Sequence, residues 1–235
     1  MYIYELVLEI TRRCNTQCLH CLRGKAEPVN MSFKTLQQAL KDVTSIGTVT
    51  FTGGEPTLNV PFIRYFTEYV RFNKIPVDAF YVITNGKIAS KSLKQALTSL
   101  SWWCDSRESC NLSISQDQFH IGYTRSRAMD LYEDLPFFHA ETRRDKIIWV
   151  INEGLASQNG IGISPPRVDN PVICKNKGEN EFVSVQGTVY INVQGDVVPY
   201  SDISYKSQME KKLGNVYEKP LLDILVSGQQ AWRIA

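Results

Sequence analysis

The sequence predicts an α/β protein built on parallel strands. Strand-like and helix-like stretches alternate about four times over residues 3–151. Each strand–helix unit takes roughly 25–35 residues, the length a crossover between parallel strands needs. The composition, 43% hydrophobic and 21% charged with a mean hydropathy of −0.22, excludes a disordered chain and a fibre. At 235 residues the chain is one large domain or a domain with a small appendage. Periodicity alone leaves open whether the sheet stays flat or curls into a partial barrel.

The elements follow in order. Over residues 3–10, Tyr4, Leu6, Leu8 and Ile10 alternate with Glu5, Val7 and Glu9, the period of a strand. The first set is expected to bury against helices, and the second to face the interior. Ser32 is placed to cap a helix carrying Phe33, Leu36, Leu40 and Val43. The β-rich run Val49–Thr52 stops at Gly53-Gly54. Asn59 and Pro61 open the next helix, with Phe62, Phe66 and Val70 on one side. Phe80–Thr84 reads as a strand ended by Asn85-Gly86, and Leu93, Leu97 and Leu100 mark a helix. Leu112–Ser115 is a strand, a weaker helix runs from about Thr124 to Leu135, and Ile147–Ile151 is a strand.

The pattern changes near Ser164-Pro165-Pro166. Phe182–Val198 then reads as strand, turn, strand, with the turn at Gln194-Gly195-Asp196, and a short helix follows Pro220. We therefore divide the chain into a core, residues 1–164, and a small α+β cap, residues 165–235.

The net charge of +2, from 26 Lys and Arg against 24 Asp and Glu, gives no broad field for steering nucleic acid. The pairs Arg12-Arg13 and Arg143-Arg144 read as surface charge rather than as phosphate contacts, so nucleic acid is not favoured as a partner. No run approaches the ~20 apolar residues of a membrane span. The N-terminus lacks the basic start of a signal peptide. A cytoplasmic location and reduced cysteines are expected.

Three of the six cysteines, Cys14, Cys18 and Cys21, fall in the pattern C-x3-C-x2-C on the loop after the first strand. In parallel α/β architectures that end of the strands is where sites are built. A tight cluster of thiols in such a protein reads as metal binding or catalysis. Three thiolates can hold three irons of a cubane cluster and leave the fourth open to a ligand. A zinc loop with His20 or a distant cysteine as fourth ligand is the alternative.

Cys14–Cys21 after the first strand, followed by Gly53-Gly54-Glu55-Pro56 at the end of the second, resembles the radical S-adenosylmethionine (SAM) superfamily. The resemblance implies a partial (β/α) barrel, a [4Fe–4S] cluster on Cys14, Cys18 and Cys21, and oxygen-sensitive chemistry. That chemistry is reductive cleavage of SAM to methionine and a 5′-deoxyadenosyl radical. It implies that the turn of Gly53, Gly54, Glu55 and Pro56 meets the methionine end of SAM, and that His20 stands where the family usually has an aromatic near the adenine. Two glycines suit a backbone that approaches a ligand closely. Asn85 in Thr84-Asn85-Gly86 matches a position that recurs in the superfamily. Ser115, in Ser115-Gln116-Asp117, resembles an S-x-D pattern of members with peptide substrates and is the candidate for the ribose hydroxyls. Cys174, the hairpin near Val189–Pro199 and Leu213–Val216 are similar to a SPASM or twitch extension, but Tyr200 stands where that pattern has a cysteine. A cluster-free cap is the expectation, with Cys104, Cys110 and Cys174 as buried thiols.

On the substrate side, Glu9, Asp117 and His120 are the candidates to orient a C–H bond toward the 5′ carbon, where position governs rate. The expected partners are a flavodoxin- or ferredoxin-type reductant and a peptide or protein substrate. The alternatives are small-molecule chemistry of the 7-deazaguanine type, nucleic-acid modification, or a non-catalytic metal-binding module.

Overall fold

The computed structural model describes residues 1–115, 119, 127–140, 149–176 and 182–232. Its first half repeats a strand–helix unit: β1 (Tyr2–Thr11), α1 (Phe33–Ala39), β2 (Ser45–Gly53), α2 (Val60–Phe72), β3 (Val77–Thr84), α3 (Lys91–Ser101), β4 (Asn111–Ile114), α4 (Arg127–Tyr132) and β5 (Phe138–Ala140). The C-terminal part carries α5 (Gly154–Gln158), β6 (Val172–Asn176), β7 (Phe182–Ile191), β8 (Asp196–Val198), α6 (Tyr205–Lys211), β9 (Gly214–Asn215) and α7 (Leu221–Trp232). The strands form one sheet in the order β5-β4-β3-β2-β1-β7-β8-β9, with β6 also on β7. β1 to β5 pair in parallel with their sequence neighbours, and β7 pairs in parallel with β1. The sheet does not close, so the architecture is a partial barrel.

Helices α1 and α3 open on serine caps, Ser32 as expected and Ser90 as an addition from the structure. Ser32 Oγ accepts from the Thr35 amide at 3.0 Å, and Ser90 Oγ from the Leu93 amide at 3.1 Å. Asn59 precedes α2 but does not cap it. Its Nδ2 donates instead to the Ile10 carbonyl at 2.7 Å, which ties the helix entry to the end of β1.

The main core lies between the sheet and the helices. Leu6, Leu8 and Ile10 of β1 join Val49, Phe51, Phe62, Phe66, Phe80, Leu97 and Leu112 there. Tyr4, expected on that face, is 57% exposed near the start of β1. Val7, on the opposite face of β1, packs with Tyr190, Val198, Tyr200 and Ile203 in a second, smaller cluster. The C-terminal part thus covers the face of β1 that the helices leave bare.

The fifth strand lies at Phe138–Ala140, earlier than the expected Ile147–Ile151. Three residues are too few to show a period-2 pattern. Ile151 makes only an isolated bridge with Ser164, and residues 147 and 148 lie outside the described residues. The expected hairpin is present as β7 and β8, which pair antiparallel. Among the described residues no helix is long and apolar enough to cross a membrane.

Candidate active site

The C-terminal ends of the parallel strands surround a cavity of about 790 Å³. Cys14, Cys18 and Cys21 line it, and so do His20, Gly53, Gly54, Glu55, Asn85 and Ser115. Segments distant in sequence meet here because β1, β2, β3 and β4 lie side by side and end on the same edge.

The cysteine loop is pinned against the turn after β2. The Gly54 amide donates to the Thr11 carbonyl at 2.7 Å, and the Glu55 amide to the Arg13 carbonyl at 2.8 Å. Gly53 has φ +126°, and a Cβ there would lie 2.0 Å from the Thr11 carbonyl oxygen. A Cβ on Gly54 would lie 2.1 Å from the Arg13 carbonyl oxygen. The close approach that demands glycine is therefore made first of all to the backbone leading into Cys14, rather than to a ligand.

Glu55 organises the next contact. Its Oε1 accepts from the Thr57 amide, the Thr57 hydroxyl and the Thr84 hydroxyl at 3.1, 2.7 and 2.6 Å. Its Oε2 accepts from the Asn85 amide at 2.8 Å. Oε1 is saturated by protein donors, while Oε2 takes one donor among the described residues. Asn85 Nδ2 in turn donates to Asn15 Oδ1 at 2.7 Å, which returns the chain of contacts to the cysteine loop. Pro56 opens a 3₁₀ turn over Pro56–Asn59 and is buried without lining the cavity. Its fixed φ shapes the turn.

On the other side the loop rests on α5, an element that the periodicity did not disclose. The Leu155 amide donates to the Cys21 carbonyl at 2.8 Å, and Asn159 Nδ2 to the Leu19 carbonyl at 2.9 Å. The His20 ring stacks on Phe119, with centroids 4.2 Å apart and planes at 19°. Ser115 closes the edge beyond β4, its amide donating to the Thr84 carbonyl at 2.9 Å.

Glu9 is not where a substrate ligand would be. Its side chain is fully buried and does not line the cavity. Oε1 accepts from Arg12 Nε at 2.7 Å, and Oε2 from the Tyr190 hydroxyl and Gln208 Nε2, both at 2.7 Å. A buried carboxylate must find donors, and these come from the C-terminal part of the chain. The expected orienting residue Glu9 thus serves a buried network and does not line the cavity. Asp117 and His120 lie outside the described residues.

Arg12 is no surface charge either. Nη1 donates to Glu27 at 2.9 Å, Nη2 donates to Gln208 at 2.8 Å, and the guanidinium lies 4.3 Å over the Tyr205 ring. Burial alone would lower its pKa, but Glu9 and Glu27 raise it above the usual arginine value, so it stays charged. Burial also pushes the phenols of Tyr190 and Tyr205 upward, so both remain neutral, and Tyr190 donates to Glu9. No signal in the sequence marks these partners, because they are close only through the β1–β7 pairing.

Residues 8–97 match the model of the Radical SAM superfamily. That stretch, which holds the cysteine loop and the Gly53-Gly54-Glu55 turn, is similar to a radical SAM domain. The chain is 29% identical over 100 residues to an uncharacterized protein of Methanocaldococcus jannaschii, covering 41% of this chain and 35% of that protein. It is 27% identical over 192 residues to the GTP 3′,8-cyclase of Petrotoga mobilis, covering 75% of this chain and 49% of that enzyme. It thus spans about a third to a half of the length of these relatives. Among solved structures, anSMEcpe with bound AdoMet aligns with a TM-score of 0.46 at 11% identity, covering 94% of this chain and 80% of that one. Streptococcus suis SuiB bound to its precursor peptide SuiA aligns with a TM-score of 0.42 at 16% identity, covering 95% and 64%.

The donor set suits a radical SAM domain. Cys14, Cys18 and Cys21 form no disulfide and are partly exposed on the wall of one cavity. Thiolates are the ligands that iron–sulfur clusters take. Among the described residues no three Cys, His, Asp or Glu side chains gather as ligands of a single ion. A cubane needs no such convergence, since each thiolate binds a different iron.

Proposed function

We propose that this chain is a radical SAM enzyme that abstracts a hydrogen atom from its substrate. The observation that carries the reading is the meeting of the three thiols, the Gly53-Gly54-Glu55 turn, Asn85 and Ser115 around one cavity. Bound together, the cluster and SAM supply reductive cleavage of SAM to methionine and a 5′-deoxyadenosyl radical. The chain's own residues do the rest. Cys14, Cys18 and Cys21 hold the cluster and leave one iron for SAM. Glu55, through Thr84 and Asn85, fixes the ends of β2 and β3 against the cysteine loop and offers Oε2 toward the methionine end of SAM. His20 on Phe119 presents a flat face for the adenine, and Ser115 a hydroxyl for the ribose. Residues 1–164 bind the cofactors, and residues 165–235 cap the other flank of β1. A flavodoxin- or ferredoxin-type protein in the cytoplasm supplies the electron.

For the substrate, the Ser115-Gln116-Asp117 pattern favours a peptide or protein. A small molecule is the second reading, favoured by the GTP 3′,8-cyclase relative and by a cavity within the ~300–1,000 Å³ range of small-molecule sites.

The test is anaerobic reconstitution with iron and sulfide. About four irons per chain and reductant-dependent formation of 5′-deoxyadenosine from SAM are expected. A colourless chain with one zinc and no SAM cleavage would overturn the reading.

A further inference from the structure

The cavity has two chemically different flanks, and the proposed function uses only one. The flank bordered by β2, β3 and β4 carries Gly53, Glu55, Asn85 and Ser115. Arg23, stacked on Tyr190 of β7, lines the other flank, and Lys25, two residues on, also lines the cavity. Because β1 lies between β2 and β7, the cysteine loop separates the two flanks.

Arg23 is 9% exposed yet lines the cavity. Its guanidinium lies 4.9 Å over the Tyr190 ring, and Nη1 donates to the carbonyls of Ser201 and Ile203 at 2.6 and 2.7 Å. A guanidinium has five N–H donors in a rigid fork. Those on Nε and Nη2 meet no acceptor among the described residues. These nitrogens are not among the fully buried polar atoms left without a partner, so they open onto the cavity and can meet a ligand there. Lys25, exposed two residues on, forms no ion pair or side-chain hydrogen bond among the described residues. The remaining cation of the wall, Arg12, is already neutralised by Glu9 and Glu27. Among the described residues the one carboxylate of the wall, Glu55, belongs to the opposite flank.

We propose that Arg23 and Lys25 form a subsite for an anionic group of the substrate, a phosphate or a carboxylate, on the flank away from the SAM side. A planar fork fixed by two carbonyls and an aromatic ring suits two oxygens of one such group, and the lysine adds a movable point charge. The subsite rests on the radical SAM reading, since it takes SAM to occupy the other flank. Held by its anion, the substrate is fixed in position relative to the SAM flank.

The test uses the anaerobically reconstituted chain with saturating SAM, titrated calorimetrically with inorganic phosphate in one arm and glutarate in the other. One arm or both should show binding at one site per chain, and the stronger arm identifies the anion. Arg23→Gln and Lys25→Gln should each weaken it at least tenfold, with iron content and SAM affinity unchanged. Lys25 is exposed, so its variant tests the subsite even where Arg23→Gln fails to fold. Three results overturn the proposal: no binding in either arm, undiminished binding by Lys25→Gln, or competition between SAM and the anion. In the first case the cations only balance the charge of the cluster. In the last they hold SAM's own carboxylate. A wild-type chain that holds neither iron nor SAM sinks the proposed function itself, a result distinct from all three.

Discussion

Glu9 and Arg12 form a buried ion pair, Oε1 to Nε at 2.7 Å, with side-chain exposures of 0% and 3%. The pair joins the end of β1 to β7 through Tyr190 and to α6 through Gln208. It holds the strand that launches the cysteine loop against the C-terminal part of the chain. Removing one member of a buried pair costs about 3–5 kcal/mol, because the other is left uncompensated. Glu9→Gln is therefore expected to lower the unfolding free energy by about 3 kcal/mol in urea titrations of the metal-free chain. Wild-type stability combined with lost turnover would return Glu9 to the substrate.

Cys14→Ala, Cys18→Ala and Cys21→Ala should each abolish both iron retention and SAM cleavage, since the thiolates are the anchors of the cluster. Cys104→Ala, Cys110→Ala and Cys174→Ala combined should leave the iron content at the wild-type value. Cys104 and Cys110 are buried next to one another, and Cys104 bridges Val77 at the start of β3, the end of the sheet away from the cavity. A loss of several irons from the triple variant, read by colorimetric iron assay, would reveal an auxiliary cluster.

Gly54→Val is expected to disturb the cysteine loop as well as the SAM site. The new Cβ would lie 2.1 Å from the Arg13 carbonyl oxygen, a backbone atom that cannot swing aside. Iron incorporation should fall along with SAM affinity. Glu55→Ala leaves that backbone contact intact and should lower SAM affinity while keeping the iron. Full iron loading with selective loss of SAM binding in Gly54→Val would mean that the turn touches the ligand alone.

Tyr132 gives a pH-dependent stability. Burial pushes its phenol up to about 12, against 10 in the unfolded chain. The unfolded state therefore loses the proton first as the pH rises, and the contribution of the neutral phenol is full below pH 10 and lost between 10 and about 12. Its hydroxyl accepts from the Ser90 amide at 3.1 Å at the start of α3. Tyr132→Phe should flatten the fall of stability over that window, measured by urea titration at stepped pH. An unchanged slope would place the alkaline sensitivity in other tyrosines.

Much of this site is legible as local pattern. The spacing of Cys14, Cys18 and Cys21 and the position of Gly53-Gly54-Glu55 after a strand are properties of short segments. So is the cap Ser32, because capping is decided within one turn of helix. The reason for the glycines was not legible, since the atoms they avoid belong to Thr11 and Arg13, about forty residues earlier.

The sequence by itself determined the alternation of strands and helices, the cysteine loop at the strand ends and the cofactor flank of the cavity. Each rests on side-chain periodicity or on spacing within a few residues. Only the tertiary structure decided that β7 lies beside β1, and with it the fate of Glu9, Arg12 and Arg23. Their partners, Tyr190, Ser201, Ile203 and Gln208, stand nearly two hundred residues away along the chain. A polar side chain in an alternating strand has the same local signature whether it meets solvent, substrate or a buried partner. The choice is made by desolvation and pairing across the fold, which no local pattern records.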